Sequence, residues 1–171
     1  LVRNADLISI DISAVRASDA PGCAYATPNG FFGDQICQIT RFAGMSDKVS
    51  SLGIFEYNPK YDCNGRTAYL ISQMIWYFVE GYLGRLNDFP GINPSLENHF
   101  RYFVKIENME EEIIFYKSKK SDRWWLQVPC PEYLQTKYYR HIIVPCSYQD
   151  YQSACNNELP DRYWQFYQKM M

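Results

Sequence analysis

The sequence is short of most features that name a function at once. Its six cysteines (Cys23, Cys37, Cys63, Cys130, Cys146 and Cys155) form no Cys-x-x-Cys pair. A chain of this size can bury a core without staples, so they read as reduced thiols of a cytoplasmic protein rather than a disulfide framework. No apolar run approaches the roughly 20 residues of a membrane-spanning helix, because Gln73, Glu80 and Arg85 interrupt the longest candidate. Neither sign of charge dominates: 17 basic residues meet 19 acidic ones, for a formal net charge of −2. Nucleic-acid binders usually show a basic surplus, so that class is disfavoured. There is no Ser-His-Asp or Cys-His arrangement and no phosphate-binding glycine loop. The opening LVRNADLISID has the charge of Arg3 and no long apolar stretch, so no signal peptide is expected. It also lacks an initial Met and runs almost directly into a strand, so a piece of a longer chain is expected.

What remains is enough to fold. The 171 residues are 47% apolar, which suits one domain or a small domain with an appendage. Aromatics make up 17%, with 15 Tyr against 10 Phe, so many rings are expected to be partly wet.

The order of elements separates the chain into parts. Residues 6–12 read as a buried strand, 31–44 as a helix with Phe32, Ile36, Ile39 and Ala43 on one face and Gly44 as C-cap, and 49–55 as a second strand. Residues 66–85 give the strongest helix. Ala68, Ile71, Ile75, Phe78 and Tyr82 make its stripe, and Trp76, Val79 and Leu83 widen it until much of the helix is expected to be covered. Strand, helix, strand, helix predicts a βαβα unit with parallel strands. The stretch 87–95, NDFPGINPS, reads as a linker. Beyond it, 99–106, 112–117 and 124–128 read as strands of a β-meander, followed by short helices at 132–140, 147–157 and 160–170. Trp124 and Trp125 point to opposite sides of their strand, one toward the core and one toward a neighbour or interface. Lys117, Lys119, Lys120 and Arg123 read as a solvated hairpin turn.

Parallel α/β units carry their chemistry at the carboxyl ends of strands. Asp11-Ile12-Ser13 ends the first strand and Glu56 ends the second. Here the residues resemble the ureohydrolases, the family of arginases, agmatinases and formimidoylglutamases. SIDISAVRASDAPG is similar to that family's S-x-D-x-D-x-x-D-P-x-x-A-P-G. PNGFFGDQICQI resembles its P-x-G helix start, and GIFEYNPKYDCNGRTA its E-x-N-P-x-x-D…T-A. The likeness spans residues 5–86. It implies an α/β fold: the C-terminal part of a three-layer αβα parallel-sheet domain over 1–86, a linker at 87–95, and a β-rich or mixed extension over 96–171. The extension looks like that of one bacterial branch.

The resemblance further implies hydrolysis of a guanidino or formimino C–N bond by hydroxide held between two Mn²⁺ ions. Asp11 falls on the aspartate that bridges both metals, and Glu56 on the glutamate that pairs with the planar amidinium of substrate. The readings from the residues alone are that Asp11 holds loop 13–22 through backbone N–H groups and that Glu56 caps the YNP turn. Ser13 stands in place of the second aspartate ligand, Arg16 in place of the third, and Ala17 in place of proline. Asp19 is displaced and no clean substitute. A neutral hydroxyl and a cation both weaken a manganese site, so Mn²⁺ binding is expected to be impaired or absent. The family's G-G-x-H and D-A-H-x-D segments are missing. The two histidines, His99 and His141, lie after the linker and read as structural imidazoles. A linear-amidine hydrolase incomplete in this chain, cytoplasmic and homo-oligomeric, is the first expectation. A non-catalytic pseudo-ureohydrolase or interaction subunit is the second. Neither nucleic acid nor membrane is expected as a partner.

Overall fold

Leu7, Ile8 and Ile10 are the kind of residues that fit a pleated, half-buried surface, and they form β1 (Leu7–Asp11). In the computed structural model, which describes residues 2–91, 96–107, 109 and 111–170, β2 (Ser51–Phe55) lies parallel to β1. Parallel neighbours need a crossover, and α1 (Gly33–Gly44) lies within it, while α2 (Arg66–Leu83) follows β2. The register sets Ile8 beside Leu52, Ile10 beside Ile54 and Asp11 beside Phe55. These elements belong to the first of two compact units, Leu1–Asn87, and the second is Asp88–Met171.

The pleat of the two-stranded sheet sorts its residues onto two faces. Ile10 joins Ile36 and Cys37 of α1 and Leu70 and Met74 of α2 in one buried cluster, with Ile8, Leu52 and Ile54 packed against it. The face bearing Leu7, Asp11 and Phe55 is open: Leu7 is 60% and Phe55 55% exposed. Among the described residues this unit therefore has two layers, a sheet and a helix pair.

Three expectations about the helices change. Phe32 precedes α1 and is exposed. Gly44 is the last residue of α1 rather than its cap, and Met45 follows as C-cap. Gly44 is there because a Cβ would run into the Phe78 carbonyl of α2, as one at Gly81 would into the Arg41 carbonyl of α1. Lastly, α2 buries Thr67, Leu70, Met74 and Gly81. Ile75, Val79 and Tyr82 are exposed, Trp76 is 72% and Leu83 78% exposed, so the stripe is rotated from the expected one and much of the helix is uncovered.

In the second unit β3 (His99–Val104), β4 (Ile113–Ser118), β5 (Trp124–Gln127) and β6 (Ile143–Cys146) form an antiparallel sheet in that order. The helices are α3 (Glu132–Tyr138), α4 (Tyr148–Cys155) and α5 (Asp161–Met170). β6 was not expected, because Pro145 interrupts its apolar run. As an edge strand it tolerates a residue without an N–H. Both tryptophans are buried. Trp124 packs in a cluster with Phe115, Leu126 and Tyr163, and Trp125 in another with Tyr116, Ile142 and Ile143. Trp125 meets Phe89 and His99 edge-on, so residues of its own unit cover it rather than an outside partner. His99 is buried, with its Nε2 2.9 Å from the Asp88 carbonyl oxygen. Of the stretch read as a linker, 92–95 lies outside the described residues, while Asp88 is buried and receives the hydroxyl of Ser121 and the guanidinium of Arg123. Lys117 pairs with Asp122 at 2.8 Å, and Lys119 Nζ donates to the Leu96 carbonyl, so these cations of the β4–β5 turn are engaged locally.

Candidate functional site

Asp11 closes β1 on the open face of the sheet. Its Oδ1 accepts the Ser13 N–H at 2.8 Å and starts a short 3-10 turn at Ile12–Ala14. An extended residue followed by a tight turn leaves a side-chain oxygen well placed for this role, so Asp11 holds the first residue of loop 13–22 through one backbone N–H. The carboxylate stays exposed.

Arg16 does not point freely into the site. Its Nε donates to Asp19 Oδ2 at 2.8 Å, and its guanidinium sits 3.9 Å from the centre of the Phe32 ring. The same Asp19 oxygen accepts the Gly33 N–H at the start of α1, and Ser18 Oγ donates to the other oxygen. The Arg16 hydrogen bond leads the effects that hold the Asp19 carboxyl below its ordinary range, against the opposing pull of burial. Asp19 thus ties the loop, the helix start and Arg16 together.

Glu56 follows β2 directly, one residue past the register partner of Asp11. It is exposed and has a φ of 64°, in the left-handed region that non-glycine residues seldom occupy. The loop beyond it is shaped by its own groups. Asn58 Oδ1 accepts the Lys60 N–H, and the Tyr61 N–H donates to the Asn58 carbonyl. Asp62 accepts the N–H groups of Thr67 and Ala68 at 2.9 and 3.0 Å, satisfying the first turn of α2, and also the Tyr57 hydroxyl. Burial raises the Asp62 carboxyl, and these hydrogen bonds together bring it below its ordinary range.

The two strand-end loops are joined. The Gly22 N–H donates to Thr67 Oγ1 at 2.8 Å, and the Asn58 N–H donates to the Gly22 carbonyl at 2.8 Å. A Cβ at Gly22 would lie 2.8 Å from Thr67 Oγ1 and 3.0 Å from Asp62 Cβ, so glycine is required by close approach. The D…T-A and P-G pieces of sequence therefore do one structural task, which the sequence reading did not find. A capping acid five residues ahead of Thr67 was the available signal.

Manganese favours carboxylate and imidazole ligands. Around Asp11 the chain offers a serine at 13 and an arginine at 16 already paired with Asp19. Among the described residues no group of three or more His, Cys, Asp or Glu can hold a metal ion. By themselves these residues do not make up a two-manganese centre. A pocket of about 480 Å³ beside the loop is lined by Asp19, Asp34, Arg66 and Cys37 among others, but neither Asp11 nor Glu56 borders it. Cys37 is buried, and burial pushes its thiol up, as expected of an inert thiol. All six cysteines are free.

The arginase family profile matches residues 4–80. Formimidoylglutamase of Staphylococcus haemolyticus is 32% identical over 73 residues, 43% of this chain and 24% of that protein. The Staphylococcus aureus enzyme of the same name is 30% identical over 74 residues, 43% of this chain and 24% of the relative. Among solved structures, formimidoylglutamase from Bacillus subtilis aligns with a TM-score of 0.46 and 22% identity over 47% of this chain and 25% of that one. The chain spans about a quarter of the length of the relatives it matches. No helix among the described residues is long and apolar enough to cross a membrane. Over residues 4–80 the chain is thus similar to the arginase (ureohydrolase) family.

Proposed function

We propose that this chain is the C-terminal, substrate-facing part of a cytoplasmic hydrolase acting on the C–N bond of a linear amidine, and that it does not hydrolyse by itself. One observation carries the proposal: Asp11 and Glu56 stand at the carboxyl ends of adjacent parallel strands, one register step apart and both exposed. In that position a glutamate can accept two parallel hydrogen bonds from a guanidinium or formimino group, and Asp11 would contribute a metal-directed oxygen. The left-handed backbone of Glu56 supports a functional role, because such conformations cost about 1–3 kcal/mol and persist where the surroundings impose them. The open sheet face supports a third layer supplied by chain outside these 171 residues, since parallel sheets are normally covered on both faces. The missing manganese ligands would come from the same source, and the segment 96–171 would be an extension of that domain.

A second reading, a pseudo-ureohydrolase that keeps the fold without the reaction, is favoured by the Arg16–Asp19 ion pair. That pair puts a satisfied cation where a ligand would stand. Hydrolysis by the protein isolated at its native length separates the two. With excess Mn²⁺ and N-formimidoylglutamate, arginine or agmatine as substrate, the first reading expects turnover of one of them, abolished by Glu56→Gln. No turnover of any rejects it in favour of the second.

A further inference from the structure

The second unit holds a pocket that the arginase-family match, ending at residue 80, does not reach. Its volume is about 550 Å³, within the usual range for small-molecule sites. One wall is α5, where Tyr163, Trp164 and Tyr167 fall at i, i+1 and i+4. Trp164 and Tyr167 lie 6.0 Å apart at 28°, and Tyr163 and Tyr167 6.0 Å apart at 13°, so the rings form a near-parallel bank. Pro129 and Pro131 also line it, rigid and without N–H donors. Among the described residues the one carboxylate on the lining is Glu111. It is exposed, and among the described residues no cation lies within ion-pairing distance of it. Arg162, the nearest cation in sequence on α5, is turned to Asp150 and the Pro145 carbonyl. The Glu111 charge is felt in the pocket wall: the Tyr163 hydroxyl is pushed up to about 12, first by burial and then by that carboxylate. Trp164 is 49% exposed, so an aromatic face remains accessible.

Ring faces carry negative potential and attract cations, most strongly over Trp. An unpaired carboxylate beside them adds attraction of the same sign, and the prolines offer apolar contact to a ligand body. We propose that this pocket binds a small alkylammonium cation, its head held between the Glu111 carboxylate and the ring faces of Trp164 and Tyr167. Neither Asp11 nor Glu56 lines this pocket.

Choline is the probe, and 3,3-dimethylbutan-1-ol, which replaces N⁺ by carbon at nearly the same shape, is its neutral control. Titration of the full 171-residue chain, followed by calorimetry and tryptophan fluorescence, is expected to show saturable choline binding, at least tenfold tighter than the alcohol. Glu111→Gln is expected to weaken choline about tenfold without moving the melting temperature, because the side chain is exposed. Trp164→Leu is expected to weaken choline while retaining the alcohol. Equal affinity for both probes would mean a merely apolar pocket and would overturn the proposal. So would the absence of saturable choline binding, or a Glu111→Gln variant that binds choline as before.

Discussion

At the scale of single residues, Glu56 and Gly22 carry opposite lessons. Glu56 occupies a backbone conformation that suits glycine. Glu56→Gly is therefore expected to raise unfolding stability by about 1 kcal/mol in urea titration, while removing the group proposed to meet the amidine. A fall in stability would show that the glutamate is there for the fold. Gly22 sits where any side chain meets Thr67 and Asp62. Gly22→Ala is expected to cost roughly 1–3 kcal/mol by overpacking, read from the same titration. Asp19 adds a pH dependence. Its folded-state carboxyl is held below the ordinary range, so its contribution is present above the unfolded value of about 4 and is lost as pH falls through the lower folded value. Asp19→Asn is expected to flatten the acid limb of the stability curve; an unchanged limb would contradict this. The letters of these motifs were legible in sequence, including the serine and arginine that replace ligands. What they do was less so. Gly22 and Thr67 are 45 residues apart, and no local pattern announces a hydrogen bond between them. Nor does any residue type announce the backbone of Glu56.

At the scale of elements, periodicity located most of the helices and strands and misread which way one of them faces. α2 is apolar around most of its circumference, so hydrophobic spacing could not choose a face. Two glycines chose it: Gly44 and Gly81 let α1 and α2 approach backbone to backbone, which turns Leu70 and Met74 inward and leaves Trp76 and Leu83 outside. Gly81→Ala should gain about 1 kcal/mol of helix propensity. It is nonetheless expected to destabilise the protein by about 2 kcal/mol or more, because the added methyl meets a main-chain carbonyl that cannot rotate away. A stabilised variant in thermal melting would show that the helices separate at little cost. β6 illustrates the reverse difficulty. Pro145 suppresses its strand signal, yet it pairs along β5, with Trp124 opposite Cys146 and Leu126 opposite Val144.

At the scale of the whole molecule, each unit has its own buried core, and the family match stays within the first. The relatives are about four times longer than the matched region. Composition pointed to a folding chain without a membrane helix, and motif order pointed to the ureohydrolases. Neither brings metal ligands together: among the described residues no group of three or more His, Cys, Asp or Glu can hold a metal ion. The proposed site is a strand-end pair, Asp11 and Glu56, with no metal-holding group among the described residues. Metal analysis of the 171-residue protein, equilibrated with excess Mn²⁺ and then freed of unbound ions, tests this most directly. The account predicts well under one manganese per chain; two retained per chain would contradict it.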